Sequence, residues 1–368
     1  MDEIYHPAPL PYATQYEVPE EGEAQTTESL METLRGISGI TLRDNGHATR
    51  SVHAKSHGLL VGEITVLADL PAAYAQGMFA KAGTLPVVMR LSTVPGDILE
   101  DNVSTPRGLA LKVIGVGGER LAGSEADVTQ DFVLVTGASF GTKTAKQFLG
   151  SLKLLARTTD KAPGAKSALS TVLRGAEKAL EAVGGSSGTL KTLGGYPATQ
   201  ILGETFYSQS PILYGRYMAK VSIAPVSANL LSLVNAPITL HGVPDALRDS
   251  VVAFFAGNAA EWELRVQLCT NIETMPIEDS SVVWPEEESP YVAVARLRAP
   301  RQCGWSHARS KAIDDEMAFN PWHGIAAHRP IGSVMRVRQL VYAMSAQFRA
   351  GRNREPMLEP RNLDAIPD

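Results

Sequence analysis

The chain has 368 residues, of which 44% are hydrophobic and 20% are charged, and its formal net charge is −5. This length allows one large core or two smaller domains. The slight acidic excess does not favour nucleic-acid binding, which needs clustered Lys and Arg. Cys269 and Cys303 are too few and too far apart for a disulfide framework or a CxxC metal site. We therefore expect two buried thiols in a reducing compartment.

The first part of the chain, residues 1–45, is predicted to form an N-terminal arm. Four prolines before residue 20 disfavour regular structure, and Thr27–Leu34 is predicted to form a short helix. The arm lacks the basic and apolar regions of a secretory signal, and no window of the chain is apolar enough for a transmembrane helix. We therefore expect a cytoplasmic protein without membrane association.

Short apolar runs recur through residues 46–300, separated by clusters of Gly, Pro and Asp. Runs of this length with turn signals between them predict β-strands, and the alternation of VAVARLR indicates a strand with one buried face. Many short strands favour an antiparallel sheet or barrel. The runs are Leu59–Leu67, Val87–Val94, Gly108–Ile114, Phe132–Thr136, Arg216–Ile223, Trp262–Leu268 and Val292–Arg298.

Two helical stretches interrupt this region, and further helices follow it. Lys143–Ala156 and Lys166–Val183 carry apolar residues at spacings of three and four, which predicts inserted helices over about 142–195 that end in a Gly-rich loop. The last region, 301–368, is predicted to be helical, with Gly332–Arg349 as its longest uninterrupted piece.

Three elements carry residues suited to chemistry. His53 lies in the string RSVHAK, beside an apolar run, and Arg90 ends another run. An Arg that points inward from a strand needs an anionic partner, because an unpaired buried charge is costly. Arg338, Tyr342 and Arg349 share one face of the last predicted helix, by the 100° turn per residue. Each element taken alone also fits an ordinary structural role.

Taken together and in order, these elements resemble the catalase superfamily. The resemblance extends from about residue 45 to 350, and it is closest to a branch of shorter catalase-related haem peroxidases, through the segment AFNPWH at Ala318–His323. The motifs that carry it are RSVHAK at Arg50–Lys55, RLSTV at Arg90–Val94, TPRGLALK at Thr105–Lys112, the stretch Ile277–Pro285, and Arg338 with Tyr342 four residues later.

The resemblance implies an α+β fold, namely an antiparallel β-barrel with flanking helices and a helical C-terminal region, and a haem b held between barrel and helix. Tyr342 would be the axial ligand of the iron as a phenolate, with Arg338 one turn away as a stabilising cation. His53 would move protons on the open face, and Ser92 would fix its ring by a hydrogen bond. Val52 would narrow the access route above the iron.

The remaining implied contacts concern the haem carboxylates and the distal side. Arg50, Arg90 and Arg349 would meet the haem propionates, which would satisfy three inward cations. Full-size catalases carry a distal Asn, and the corresponding segment here places Thr129 at that position, followed by Gln130. Without the amide, a second hydrogen peroxide would be held less well, which puts efficient dismutation in doubt.

The function implied is therefore a haem-dependent hydroperoxidase acting on hydrogen peroxide or small organic hydroperoxides, a weak catalase with peroxidase activity. Its partners would be the peroxide and a reductant that the sequence does not identify, and a homo-oligomer is expected because an extended arm often packs on a neighbour. The alternatives are a catalase-related isomerase or dehydratase of fatty-acid hydroperoxides, and a non-catalytic haem-binding protein. Val52 before the distal His favours the hydroperoxidase, and an intact His53 argues against mere binding. His323 and His328 are expected to be structural.

Overall fold

The computed structural model describes residues 7–156 and 195–368. Within them, eight antiparallel strands close into a barrel in the order β1-β2-β3-β4-β5-β7-β8-β9, and β6 adds a short strand beside β7. This confirms the predicted α+β barrel, and every apolar run that predicted a strand lies within or overlaps one. The strands are β1 Ser56–Val66, β2 Gly83–Thr93, β3 Arg107–Ile114, β4 Thr129–Thr136, β5 Phe206–Tyr207, β6 Ile212–Tyr214, β7 Tyr217–Pro225, β8 Ala260–Leu268 and β9 Val292–Ala299.

Helices flank the barrel on the outside. Three of them pack on one another through a shared apolar cluster that includes Leu34, Leu149 and Met344. These three are the first, the second and the last helix of the described chain. The helices are α1 Glu23–Asn45, α2 Ala145–Ala156, α3 Ala228–Leu231, α4 Ala246–Gly257, α5 His307–Ser310 and α6 Ser333–Asn353. The predicted helix at Lys166–Val183 and nearly all of the Gly-rich loop that follows it lie outside the described residues.

Helix α1 is much longer than the predicted Thr27–Leu34. The sequence pattern underestimated its length because the buried face of the helix is only partly apolar. Thr27, Ser38 and Thr41 are buried on that face together with leucines and an isoleucine, so hydroxyl side chains interrupt the hydrophobic periodicity. The helix ends at Gly46, whose left-handed φ of 68° lets its N–H donate to the carbonyl of Leu42.

Strand alternation decides which side chains face the barrel core and which face the helices outside. In β2, Val87, Met89 and Leu91 belong to the barrel core, and the residues between them point outward. Val88, one of these, packs in a separate cluster under the C-terminal segment. Arg90 and Ser92 have the same outward direction. The strand thus delivers two polar side chains to the space between the barrel wall and the flanking helices.

The two cysteines differ from the sequence-based expectation of two buried thiols. Cys269 is buried, which raises the pKa of its thiol to about 12, but Cys303 is exposed. It lies in the turn after β9, outside the packed core. No helix among the described residues is both long and apolar enough to cross a membrane.

Candidate active site

His53 lies in the loop between α1 and β1 and has an uncommon left-handed backbone, with φ 55°. The conformation is held because its N–H donates to the carbonyl of Val94 at 2.7 Å. Its Nδ1 lies 3.0 Å from the hydroxyl of Ser92, in line with the expected ring-fixing contact. Burial, followed by the nearby charge of Arg90, lowers the pKa of His53 to about 3, so the imidazole is neutral at physiological pH.

Gly108 in β3 makes room for this imidazole. A Cβ at this position would lie 2.6 Å from Cε1 of His53 and 3.1 Å from the hydroxyl of Ser92. The glycine therefore lets the histidine ring lie directly on the barrel wall, where Gly108 pairs with Ser92 across β2 and β3.

A cavity opens beside His53, between the barrel wall and helices α1 and α6, and it encloses about 700 Å³ when its open mouth is included. Apart from the arginines, His53, three serines and Tyr342, its walls are apolar. The lining residues outside the arginine cluster are Leu34, Ser51, Val52, His53, Ser92, Gly108, Leu109, Ala110, Val133, Leu134, Ala318, Phe319, Val341, Tyr342, Ser345 and Ala346.

Tyr342 reaches the same cavity from α6, and no described residue hydrogen-bonds to its phenol. Helix periodicity places Tyr342, Ser345 and Arg349 on the cavity-lining face. Arg338 does not join them. Its Nη1 lies 3.4 Å from the sulfur of Met335 and its guanidinium lies over the ring of Phe140, so it does not contact the phenol.

Arg50, Arg90 and Arg349 converge at one rim of the cavity, as the resemblance implied, but they do so around a protein carboxylate. This carboxylate belongs to Asp314, in the π-helical turn Lys311–Asp315. Its carboxylate accepts from Nε of Arg90 at 2.6 Å. Burial opposes its ionisation, yet the charges of Arg90 and Arg50 outweigh burial and keep the pKa of Asp314 below its usual range.

Thr129 lies away from the cavity. It is fully buried at the start of β4, where its hydroxyl donates to Glu359. Val133, which lies on the same face of β4 four residues further along the strand, lines the cavity instead. Among the described residues that line the cavity, none is Asn or Gln. The structure therefore does not bring Thr129 together with His53, and its proposed distal role has no geometric support.

The two histidines outside the cavity have separate environments. His328 is buried among Phe79, Phe132 and Tyr214, accepts from the N–H of Met78, and has a pKa lowered by burial to about 4. His323 lies 3.6 Å from Asp131 and 3.4 Å from Glu359. The acidic neighbours of His323 are distant in sequence, so ligand spacing along the chain did not reveal them.

Sequence reasoning missed Asp314 and the spatial role of Gly108. The requirement that an inward Arg have an anionic partner was the available signal for Asp314. It could not identify the residue, because Asp314 is 224 positions from Arg90 in the chain.

Comparison with solved structures identifies the architecture. The structure is similar to that of a fungal catalase, with a TM-score of 0.59 and 18% identity over 84% of this chain and 61% of that one. For catalase A from Saccharomyces cerevisiae the TM-score is 0.58 and the identity 17%, over 84% of this chain and 62% of that one. For a bacterial catalase the TM-score is 0.55 and the identity 16%, over 84% of this chain and 59% of that one. The chain has the catalase fold.

The catalase fold is shown by structure and not by sequence similarity. No protein-family model matches the sequence, and comparison with curated proteins finds no match. The chain spans about six tenths of the length of the three catalases named above.

The side chains that line the cavity of this catalase fold suit a haem in their chemistry. Apolar side chains such as Leu34, Val133 and Phe319 would cover a flat macrocycle, and Tyr342 offers an oxygen ligand. At the rim, Nε of Arg349 is buried without a hydrogen-bond partner among the described residues, which leaves a donor for an added anionic group.

Proposed function

We propose that this chain is a haem-dependent hydroperoxidase, with Tyr342 as axial phenolate ligand and His53 as the group that moves protons. One observation carries the proposal: His53 and Tyr342, from two different walls, line one largely apolar cavity in a catalase fold. Haem would supply an iron that exchanges electrons with the peroxide. This chain covers only about six tenths of the catalases named above, so the activity is an inference from this site.

The part of His53 follows from its contacts. A peroxide must lose a proton from one oxygen and gain one on the other as its O–O bond breaks, and one imidazole can do both in turn. Ser92 engages Nδ1 of His53, which leaves Nε2 for a substrate. Because its pKa is lowered to about 3, the ring is neutral at physiological pH, and a base this weak would pass a proton taken from one peroxide oxygen quickly on to the other.

Oxygen release from hydrogen peroxide by the haem-loaded protein tests the proposal, with peroxidase turnover of a dye reductant measured in parallel. Tyr342→Phe removes the oxygen ligand and His53→Ala removes the proton carrier, so each should abolish most of the turnover. His241→Ala, at an exposed histidine outside the cavity, is the matched control and should behave as wild type. Full turnover in both cavity variants would contradict the proposal.

A second substrate class, organic hydroperoxides, is favoured by the apolar side chains that the barrel wall presents to the cavity. Gly108, Ala110 and Val133 face the cavity from the barrel, and none of them can hydrogen-bond a second hydrogen peroxide through a side chain. We expect kcat/KM for cumene hydroperoxide to exceed that for hydrogen peroxide. Val133→Asn adds an amide at this wall and should shift the preference toward hydrogen peroxide. An isomerase or dehydratase activity would appear in the same assay as rearranged product without consumption of the reductant.

A further inference from the structure

A buried carboxylate occupies the centre of the arginine cluster at the cavity rim. One oxygen of Asp314 accepts from Nε of Arg90 at 2.6 Å and lies 3.3 Å from Nη1 of Arg50. Its other oxygen accepts from two hydroxyls, those of Ser56 at 2.7 Å and Ser310 at 2.8 Å. The carboxylate is therefore fully engaged, and it bridges the barrel strands to the segment that precedes α6.

Backbone carbonyls of the same segment take most of the remaining arginine donors. Arg50 donates to the carbonyls of Ile313 at 3.0 Å and Met317 at 2.9 Å. Arg349 donates to the carbonyl of Asp314 at 2.6 Å. Ala318 and Phe319, which come directly after this segment, form part of the cavity wall. The cluster thus positions a wall of the site as well as its rim.

The charges of the cluster do not cancel. Three guanidinium groups lie close enough to influence one another, and among the described residues the Asp314 carboxylate is the one that binds two of them directly. The neighbouring carboxylate of Asp315, which lies 2.8 Å from His47, also acts on Arg50 and Arg349, so two carboxylates stand against three guanidinium groups. An excess of positive charge, and the partnerless Nε of Arg349, therefore remain beside the cavity.

We propose that Asp314 is a charge-compensating positioning residue that holds Arg90 and Arg50 in place when no ligand is bound and limits how tightly the cluster holds a ligand carboxylate. The inference rests on the proposed function, in which haem carboxylates meet these arginines, and it adds a built-in counter-anion to that site. Neutralising Asp314 should make the empty site less stable and should make the cluster bind a carboxylate more strongly.

Titration of the haem-free protein with haemin and with haemin dimethyl ester, followed by absorbance, separates the carboxylate contribution from binding of the macrocycle. Asp314→Asn keeps an oxygen that can accept from Arg90 and removes the charge. We expect it to increase the preference for haemin over the ester by about tenfold or more, as loss of a charged partner implies, and to lower the Tm of the haem-free protein. Glu278→Gln is the matched control, because Glu278 pairs with Arg336 outside the cavity lining.

The outcomes are distinguishable. If wild type binds neither porphyrin, the proposed function fails and this inference fails with it. If wild type binds both and Asp314→Asn leaves the haemin-to-ester preference unchanged or lowers it, the inference alone fails. If Asp314→Asn does not fold, the Arg50→Gln/Asp314→Asn double variant removes one charge of each sign. The preference of this double variant for haemin over the ester should lie within about twofold of the wild-type preference. A preference about tenfold above that of wild type would refute charge compensation.

Discussion

The substitution Gly108→Ala adds only one methyl group, but it should disturb the site strongly. The added Cβ of Gly108→Ala would lie 2.6 Å from Cε1 and 2.7 Å from Nδ1 of His53, well inside normal contact. The backbone of His53 is held in a left-handed conformation by the hydrogen bond to Val94, so the displacement falls on the ring and not on the main chain. The ring must therefore move away from β3, and its hydrogen bond to Ser92 at 3.0 Å should break.

The magnitude follows from these contacts. Overpacking of this kind costs about 1–3 kcal/mol in the free energy of unfolding, and loss of the hydrogen bond adds about 1 kcal/mol. A displacement of the proton carrier by about 1 Å should lower turnover by about 100-fold. Urea unfolding of the haem-free protein measures the first effect, and peroxide turnover of the haem-loaded protein measures the second.

Gly36→Ala provides the control for this experiment. Gly36 lies inside α1, and an added Cβ there would meet nothing within 4 Å. Replacing a helical glycine by alanine should stabilise the protein by about 0.5–1 kcal/mol and leave turnover unchanged. If Gly108→Ala matched wild type in both stability and turnover, the proposed dependence of the site on close packing against β3 would be wrong.

Three further predictions concern residues outside the cavity. His328, which is 1% exposed, stays neutral in the folded state down to a pKa of about 4, whereas an unfolded histidine protonates below about 6.5. The free energy of unfolding should therefore fall as pH drops from about 6.5 to 4, by up to about 1.4 kcal/mol per pH unit from this group. In urea unfolding, His328→Gln should show a shallower dependence of stability on pH, and a slope equal to that of wild type would refute this. Lys112→Met leaves the buried Asp131 carboxylate without its cation and should cost about 3–5 kcal/mol, seen as a lower urea midpoint; a change below about 1 kcal/mol would show that the pair is not needed. With a thiol reagent, exposed Cys303 should react in the native protein and buried Cys269 only after unfolding, and rapid modification of both would contradict the packing around β8.

The strands could be predicted from the sequence because each longer strand carries its own apolar run with turn signals beside it. β1 and β2 contain unbroken apolar runs, so their existence follows from local pattern. β5 and β6 span two and three residues and leave no periodic signal, although β5 closes the barrel through its pairing with β7. Closure is a property of distant pairing, which a local pattern does not contain.

Only the site residues that belong to sequence motifs could be predicted. His53, Tyr342 and the three arginines were found, and the structure brings these five to one cavity. Ser92 was expected as the partner of His53, but the partner of the arginines was not found, because Asp314 reaches Arg90 from the far end of the chain. The roles of Arg338 and Thr129 came from the resemblance to catalases. In the structure Arg338 lies over the ring of Phe140 and Thr129 donates to Glu359.

The central claim is that this cavity holds a haem through Tyr342. Absorption spectroscopy of the protein titrated with haemin tests it most directly, with wild type, Tyr342→Phe and the exposed-site control His241→Ala compared side by side. We predict one haemin per chain in wild type and control. In Tyr342→Phe we predict an altered ferric spectrum and an affinity lower by about tenfold or more, since an iron ligand is lost. Identical spectra and affinities in wild type and Tyr342→Phe would show that the phenol does not bind the iron and would contradict the account.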